Sequence, residues 1–231
     1  MKNKIQTIIE EQYASMQGDA GIFTPLVREN VADLARYLEL IKDWTTKVDL
    51  VSMQSDEMLV SRHIIDCVCA GKVIASLDIT PKLSFVDVGS GAGLPGMVLA
   101  LLDRERKVHL VEPRKKRCGF LQEAKQQLKL EKVEIHEMDF AGFVAKYTKS
   151  DKTPIDAGVG LIIARAIGMR ERYLKQALKL ADKNGFVAEM LGAKLPDVDK
   201  TNSACLYRSD SFTLPPDGAK RTLWFWNNKR G

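Results

Sequence analysis

Residues 86–96 read Val-Asp-Val-Gly-Ser-Gly-Ala-Gly-Leu-Pro-Gly, and few folds can use such a segment. The apolar run Leu83–Val88 ends in glycines that recur at every second position from Gly89 to Gly93. Glycine takes positive φ without strain and lets a ligand approach the main chain closely. Pro95 stands just before the next apolar run, where its fixed φ helps start a helix. The segment predicts a buried strand, an open turn and a helix. In open α/β sheets such a turn faces a ligand beyond the carboxyl end of the strand.

The rest of the chain repeats this alternation. Val108–Val111, Val133–His136, Val159–Ala164 and Phe186–Leu191 read as further short buried strands. Met97–Leu102, Arg114–Leu128 and Tyr173–Ala181 read as helices. Strands alternating with helices predict a doubly wound, mostly parallel sheet covered on both faces. Arg221–Trp226 reads as a last strand, and an antiparallel one fits. The segment Ala193–Lys220, rich in Pro, Asp and Ser, reads as a loop.

Upstream, Val27, Val31, Leu34, Ala35, Leu38 and Ile41 recur at helical spacing, with Pro25 near the start. A second helix is predicted from Ser55, a candidate N-cap followed by Asp56 and Glu57, through Arg62, His63 and Asp66 toward Val73. The chain thus divides into an N-terminal helical extension, 1–75, and an α/β domain, 76–231.

Its 231 residues are ample for one such domain with an extension. No run of eighteen apolar residues exists, and the N-terminal segment Met1–Glu11 is too charged for a signal peptide. A cytoplasmic protein without a membrane span is expected. Cys67, Cys69, Cys118 and Cys205 form no C-x-x-C pair and read as reduced thiols. The three histidines complete no metal-ligand spacing, so no metal site is expected. The net charge of +5 is concentrated. Arg104–Lys132 holds ten Lys/Arg against four Asp/Glu, including Arg114-Lys115-Lys116-Arg117 at a helix start, where the dipole favours anions. Such a patch suits a polyanion such as nucleic acid, although solvated helix faces also carry such runs.

Two ligands fit the turn. Gly91-x-Gly93-x-x-Gly96 matches the dinucleotide fingerprint, and Glu112, nineteen residues after Gly93, could serve as its ribose acid. That reading gives a nicotinamide-dependent oxidoreductase. The other ligand is S-adenosyl-L-methionine. Asp87 two residues before Gly89, the alternate-glycine spacing, and the acidic Asp139 after the third strand favour it. A glycine turn with no ligand is the third reading.

The chain resembles the small-subunit ribosomal RNA methyltransferase G family, also called the glucose-inhibited division protein B family. The segments that carry the resemblance are Met58–Asp66, Asp87–Gly96, Lys116–Leu121 and Ala164–Ala166, within about Trp44–Gly192. The Gly-Leu-Pro-Gly end of the loop, with Arg62-His63-x-x-Asp66 upstream, is the most specific part. The resemblance implies a Rossmann-like methyltransferase sheet, S-adenosylmethionine as donor, and guanosine N7 of 16S rRNA, free or in the small subunit, as acceptor. It also implies that Gly89 and Leu94 line the cofactor pocket and that Phe140 and Ala141 flank the adenine. Arg165 should face cofactor and base, and Glu112 should hold the ribose. Plain packing is the alternative for Phe140, and a strand-end salt bridge for Arg165. Asp66 and His63 are candidate substrate-side residues, or a helix-capping or inter-helix hydrogen-bonded pair.

Guanine N7 offers a lone pair and no proton, so methyl transfer needs positioning and no general base. The cationic product calls for a nearby carboxylate or aromatic face. Exocyclic-amine methylation would call for an Asn/Asp-Pro-Pro-aromatic motif where Ala164-Arg165-Ala166-Ile167 stands. No cysteine occupies a context that suits cytosine C5 chemistry. Trp224 and Trp226, alternating on the last strand, suit sheet packing better than base stacking. The chain departs from the family at Asp49-Leu50-Val51 (Asn-Leu-Thr), Cys67 (Ser), Ala164 and Ile167 (Ser and Phe), and Leu191 (Lys, although Lys194 is near). Most of these departures fall where RNA or the target base would sit, so a catalytically altered RNA-binding relative stays open. Nothing in the sequence demands more than a monomer.

Overall fold

The computed structural model describes residues 3–16, 23–148, 155, 157–165, 170–192 and 206–227. Its first part is helical: α1 (Lys4–Ser15), α2 (Phe23–Thr45), α3 (Asp56–Leu59), a π-helical segment (Val60–Ile65) and α4 (Asp66–Ala75). The alternating part follows: β1 (Ser84–Val88), α5 (Gly96–Leu102), β2 (Val108–Val111), α6 (Lys115–Gln127), β3 (Val133–His136) and α7 (Phe140–Thr148). It continues with β4 (Val159–Arg165), α8 (Arg170–Leu180), β5 (Phe186–Leu191), β6 (Leu206–Leu214) and β7 (Ala219–Asn227).

The seven strands form one sheet in the order β3-β2-β1-β4-β5-β7-β6. The first five are parallel, and β7 runs antiparallel to both β5 and β6. This is the expected doubly wound, mostly parallel sheet with N-terminal helices. The strand order reverses at β1, between β2 and β4, and a ligand crevice opens at such a switch point. No helix among the described residues is long and apolar enough to cross a membrane.

Strand parity sorts the core into two layers. Phe85, Leu110, Leu161, Ile163, Ala188 and Phe225 point to one face, where residues of α1, α2, α4, α5 and α6 cover them in a single cluster. Ile9 of α1 and Leu34, Leu38 and Ile41 of α2 are fully buried there, so these N-terminal helices and the sheet share one core. Each such side chain contributes roughly 1.5–3 kcal/mol. Val86, Val111, Ile162, Ala164, Val187, Trp224 and Trp226 point to the other face, under α7 and α8. The two tryptophans stack at 6.2 Å between ring centroids inside this layer, in keeping with sheet packing.

Two elements depart from expectation. The segment Ala193–Lys220 is not a loop where it is described: Leu206–Leu214 is an edge strand joined to β7 by a turn in which the Gly218 amide donates to Leu214 O. Its burial alternates half-buried and exposed, so it carries no apolar run. Ser, Asp and Thr suit the solvated side of an edge strand as well as they suit a loop. Residues 193–205 lie outside the described residues. The second departure is α7, which starts at Phe140, where only positions flanking a ligand were expected. Asp139 accepts the Gly142 amide at 2.7 Å and so caps its first turn.

Candidate active site

The glycine turn hangs on two strand ends. The amides of Gly89 and Ser90 donate to Val111 O of β2, and the Gly93 amide donates to Ser90 O. Gly89, Gly91 and Gly93 all have positive φ. Their surroundings differ. A Cβ on Gly89 would meet nothing within 4 Å, so its Cα faces open space. A Cβ on Gly93 would lie 2.5 Å from Met97 Cγ and 2.6 Å from the Tyr37 hydroxyl. Gly89 is thus bare toward a ligand, and Gly93 is bare because protein fills the site. The Tyr37 hydroxyl, reaching from α2, donates to Ala92 O and braces the turn from behind. Leu94, which the family resemblance places in the cofactor pocket, is buried in the core layer that includes α2.

Two carboxylates complete this end. Glu112, just past β2, is buried and accepts the Gly91 amide at 2.9 Å and the Arg114 amide at 3.0 Å. Each oxygen is used once, and a carboxylate has about four acceptor sites, so capacity for two hydroxyls is left. Asp87 Oδ2 accepts the Gly96 amide at 3.0 Å and ties β1 to the start of α5. Its Oδ1 is buried and has no hydrogen-bond partner among the described residues. Burial pushes the Asp87 carboxyl up to about 7, against the Gly96 amide and Arg165, which favour the anion. An unpartnered buried oxygen beside an open glycine fits a cationic ligand. The missed signal was parity: Asp87 shares its face with Phe85, under α5.

Phe140 and Ala141 open α7 and are both half-buried. The Phe140 ring lies 6.5 Å from Phe143 and 5.8 Å from Tyr173, centroid to centroid, so it belongs to the edge of the second core layer.

A second group of polar side chains gathers at the end of β4. Arg165 donates from Nη1 to Arg62 O at 3.1 Å, and this nitrogen lies 3.6 Å from Asp66 Oδ2. Its Nη2 is 3.5 Å from His63 Nδ1. Arg221 of β7 donates from Nε to Asp66 Oδ2 at 3.2 Å, and Arg62 pairs with Asp217 of the β6–β7 turn. The sequence-predicted trio Arg165, Asp66 and His63 therefore meets at one place. Arg62, part of the family motif but not expected as a site residue, joins it with Asp217 and Arg221. Arg221 shares its face of β7 with Leu223 and Phe225, two and four residues on, which lie in the same core layer as β4 Ile163.

The π-helical segment supplies Arg62 and His63, and α4 begins with Asp66, whose amide donates to Ser61 O. Such widened turns are frequent at functional sites. Burial, then Arg165 and Arg62, holds the His63 imidazole down at about 4, so it is neutral near pH 7. With Nδ1 facing the Arg165 donor, the ring proton sits on Nε2, which is buried and unpartnered among the described residues. Burial raises the Asp66 carboxyl, opposed by Arg221 and Arg165, and its Oδ1 is likewise without a partner. These residues line a cavity of about 340 Å³ with Met190, Leu191 and Gly192. That is the low end for ligand pockets and suits one planar base.

Of the basic quartet, Arg114, Lys115 and Lys116 are exposed, while Arg117 donates to Asp49 O at 2.8 Å. Cys67, Cys69 and Cys118 are buried and form no disulfide, and burial raises the Cys67 and Cys118 thiols, Cys118 to about 11. Cys205, Ala166, Ile167 and Lys194 lie outside the described residues.

A family model described as rRNA small subunit methyltransferase G matches residues 30–211. A protein named Ribosomal RNA small subunit methyltransferase G from Nitrosomonas europaea is 30% identical over 198 residues, covering 82% of this chain and 84% of that one. Its namesake from Nitrosomonas eutropha is 34% identical over 173 residues, 72% and 71% of the two chains. Among solved structures, a putative O-methyltransferase from Klebsiella pneumoniae matches with a TM-score of 0.59 at 13% identity over 96% of both chains. The METTL16 MTase domain matches with a TM-score of 0.56 at 12% identity, over 98% of this chain and 93% of its own. These two likenesses concern the fold.

Proposed function

The chain belongs to the rRNA small subunit methyltransferase G family, and on that premise we propose that it methylates guanosine N7 in 16S rRNA, holding S-adenosylmethionine at Gly89–Gly93 and the base beside Arg165. The observation that carries this reading is a register. Val88 of β1 pairs with Ala164 of β4, so Gly89 and Arg165, one residue further on each strand, leave the sheet side by side. Donor turn and acceptor pocket share one rim.

The residues of the turn fit the donor. Gly89 leaves room for it, Glu112 keeps acceptor capacity for the ribose hydroxyls, and Asp87 offers an unpartnered oxygen to a cation. Phe140 and Ala141 stand at the start of α7, where the adenine would be flanked. Bound there, S-adenosylmethionine supplies a methyl group on a sulfonium. A cation beside Asp87 favours its ionised form, so donor binding lowers the carboxyl's affinity for its proton.

On the acceptor side, His63 Nε2–H offers a donor and Asp66 Oδ1 an acceptor. Guanine presents the complement in O6 and N1–H. Arg165 and Arg221 hold Asp66 in place, and the carboxylate counters the positive charge that N7 gains on methylation. No residue has to remove a proton from N7. Arg114, Lys115 and Lys116 would meet rRNA phosphates, which position without specifying sequence. The protein acts as a cytoplasmic monomer in this reading.

The test is methyl incorporation into small subunits that lack the modification, followed by nucleoside analysis. Labelled 7-methylguanosine is the expected product. Label in another nucleoside would overturn the N7 assignment, and no label would leave an RNA-binding relative without catalysis. Calorimetry should give heat with S-adenosylmethionine and none with NAD. Binding of NAD alone would restore the oxidoreductase reading.

A further inference from the structure

On the second face of the sheet, beside α7, three metal-ligating side chains converge that the methyl-transfer chemistry does not use. His109 lies on β2, and Glu134 and His136 lie on β3. Parallel pairing sets His109 opposite Glu134 and Val111 opposite His136, and alternation puts all three on one face. In sequence the two histidines are 27 positions apart and complete no ligand spacing; the strand register brings them together. Among the described residues this is the one such convergence of three ligand atoms.

We propose that His109, Glu134 and His136 bind a divalent cation of the zinc class, which clamps β2 to β3. The geometry carries the proposal. His109 Nδ1 and His136 Nε2 are 3.0 Å apart, and Glu134 Oε2 lies 3.5 Å from the first and 3.8 Å from the second. Ligands at about 2.0–2.1 Å in a tetrahedral zinc shell lie about 3.3–3.4 Å from one another. The circle through the three observed atoms has a radius of about 2.0 Å, so one point slightly off their plane stands at bonding distance from all of them. A three-atom set of this size needs little rearrangement to become a coordination shell.

The donor set selects the ion. Two imidazole nitrogens and one carboxylate oxygen suit zinc, cobalt, nickel or copper, whereas magnesium and calcium call for oxygen alone. Three protein ligands leave a fourth position for water. The Glu134 side chain is 44% exposed beside two buried rings, which gives the ion a path from solvent and the fourth ligand a place. Lys107 Nζ pairs with Glu134 Oε1 at 2.8 Å, and Oε2 is the oxygen that faces the two rings. That lysine, together with Lys146 nearby on α7, lowers affinity without blocking the site. The ring of Phe143 packs edge-on to His136 at 4.9 Å and fixes its plane. On coordination the ring that donates in the His109–His136 hydrogen bond moves its one proton to its other nitrogen, while the accepting ring already carries its proton there, so both rings stay neutral.

The test uses the full chain, stripped with a chelator and titrated with zinc by calorimetry and with cobalt by visible absorption. One equivalent should bind, and cobalt should give the intense d–d bands of a four-coordinate site without a thiolate charge-transfer band. Zinc should also raise the melting temperature. Glu134→Gln and His136→Gln should each weaken binding by about a hundredfold or more and abolish the thermal shift. Because Glu134 is half-exposed, its variant keeps the fold, which far-ultraviolet circular dichroism checks. Glu105→Gln, an exposed acid paired with Lys132, should change nothing. Absence of stoichiometric binding, equal binding in the Glu134 and His136 variants, or a thiolate band from the buried cysteines would each overturn the proposal.

Discussion

At the end of β1 the protein offers a ligand mostly main chain, and at the end of β4 it offers long charged side chains. The donor turn comes from eight consecutive residues, Gly89–Gly96, with Asp87 and Glu112 holding its amides. The proposed acceptor pocket draws on four distant segments, Arg62–Asp66, Arg165, Met190–Gly192 and Arg221. A main-chain site constrains sequence by forbidding side chains, because a single Cβ at Gly93 collides with three neighbours. A side-chain site is constrained by partners, and partners can be exchanged in pairs. The departures from the family pattern follow this division. The donor loop is kept, while Cys67 lies buried next to Asp66 and Leu191 lines the acceptor cavity.

The sharpest way to break the comparison is at its packed glycine. Gly93→Ala should cost about 3 kcal/mol or more, from overpacking together with the left-handed φ, and urea unfolding would measure it. A loss under 1 kcal/mol would mean that the turn is looser than its packing implies. Next is Asp66→Ala, which should lower turnover about a hundredfold through lost positioning while S-adenosylmethionine affinity holds. Unchanged turnover would reduce Asp66 to an inter-helix contact.

How far these two ends were legible follows from the same contrast. Strands β2, β3 and β5 have the bounds expected from the sequence, and the donor turn was readable because its constraint is local. The trio Arg165, Asp66 and His63 came from resemblance to a family, and no spacing in the chain links residues 102 positions apart. Arg221 was hidden for a related reason: its role depends on β7 lying next to β5, a neighbour that only the whole sheet order reveals. The edge strand β6 was hidden by its polarity.

The remaining predictions sharpen the donor side. Gly89→Ala should cost only about 1 kcal/mol of stability, from its φ alone, because its Cβ meets no protein atom. Donor affinity should nonetheless fall about tenfold or more, equal to about 1.4 kcal/mol. Equal losses in stability at Gly89 and Gly93 would erase the distinction between a bare cradle and a packed turn. Smallest is a pH effect. Asp87 in the folded chain titrates near 7 because of burial, above its unfolded value of about 3.9. Between these values the folded chain keeps a proton that the unfolded chain has lost. Its contribution to stability therefore falls as pH rises from about 4 to about 7, then levels off. Asp87→Asn keeps an acceptor for the Gly96 amide and should remove that fall, as urea midpoints at pH 5 to 8 would record. Parallel profiles for the two proteins would count against a raised carboxyl.

The hydroxyl of Tyr37 reaches Ala92 across 55 positions of sequence. If the glycine turn grips a sulfonium nucleoside as proposed, the smallest portable unit is therefore larger than the strand-and-helix sandwich. A transplant beginning at residue 76 would carry the glycines and leave behind the post they lean on, so any chimera must import α2 as well.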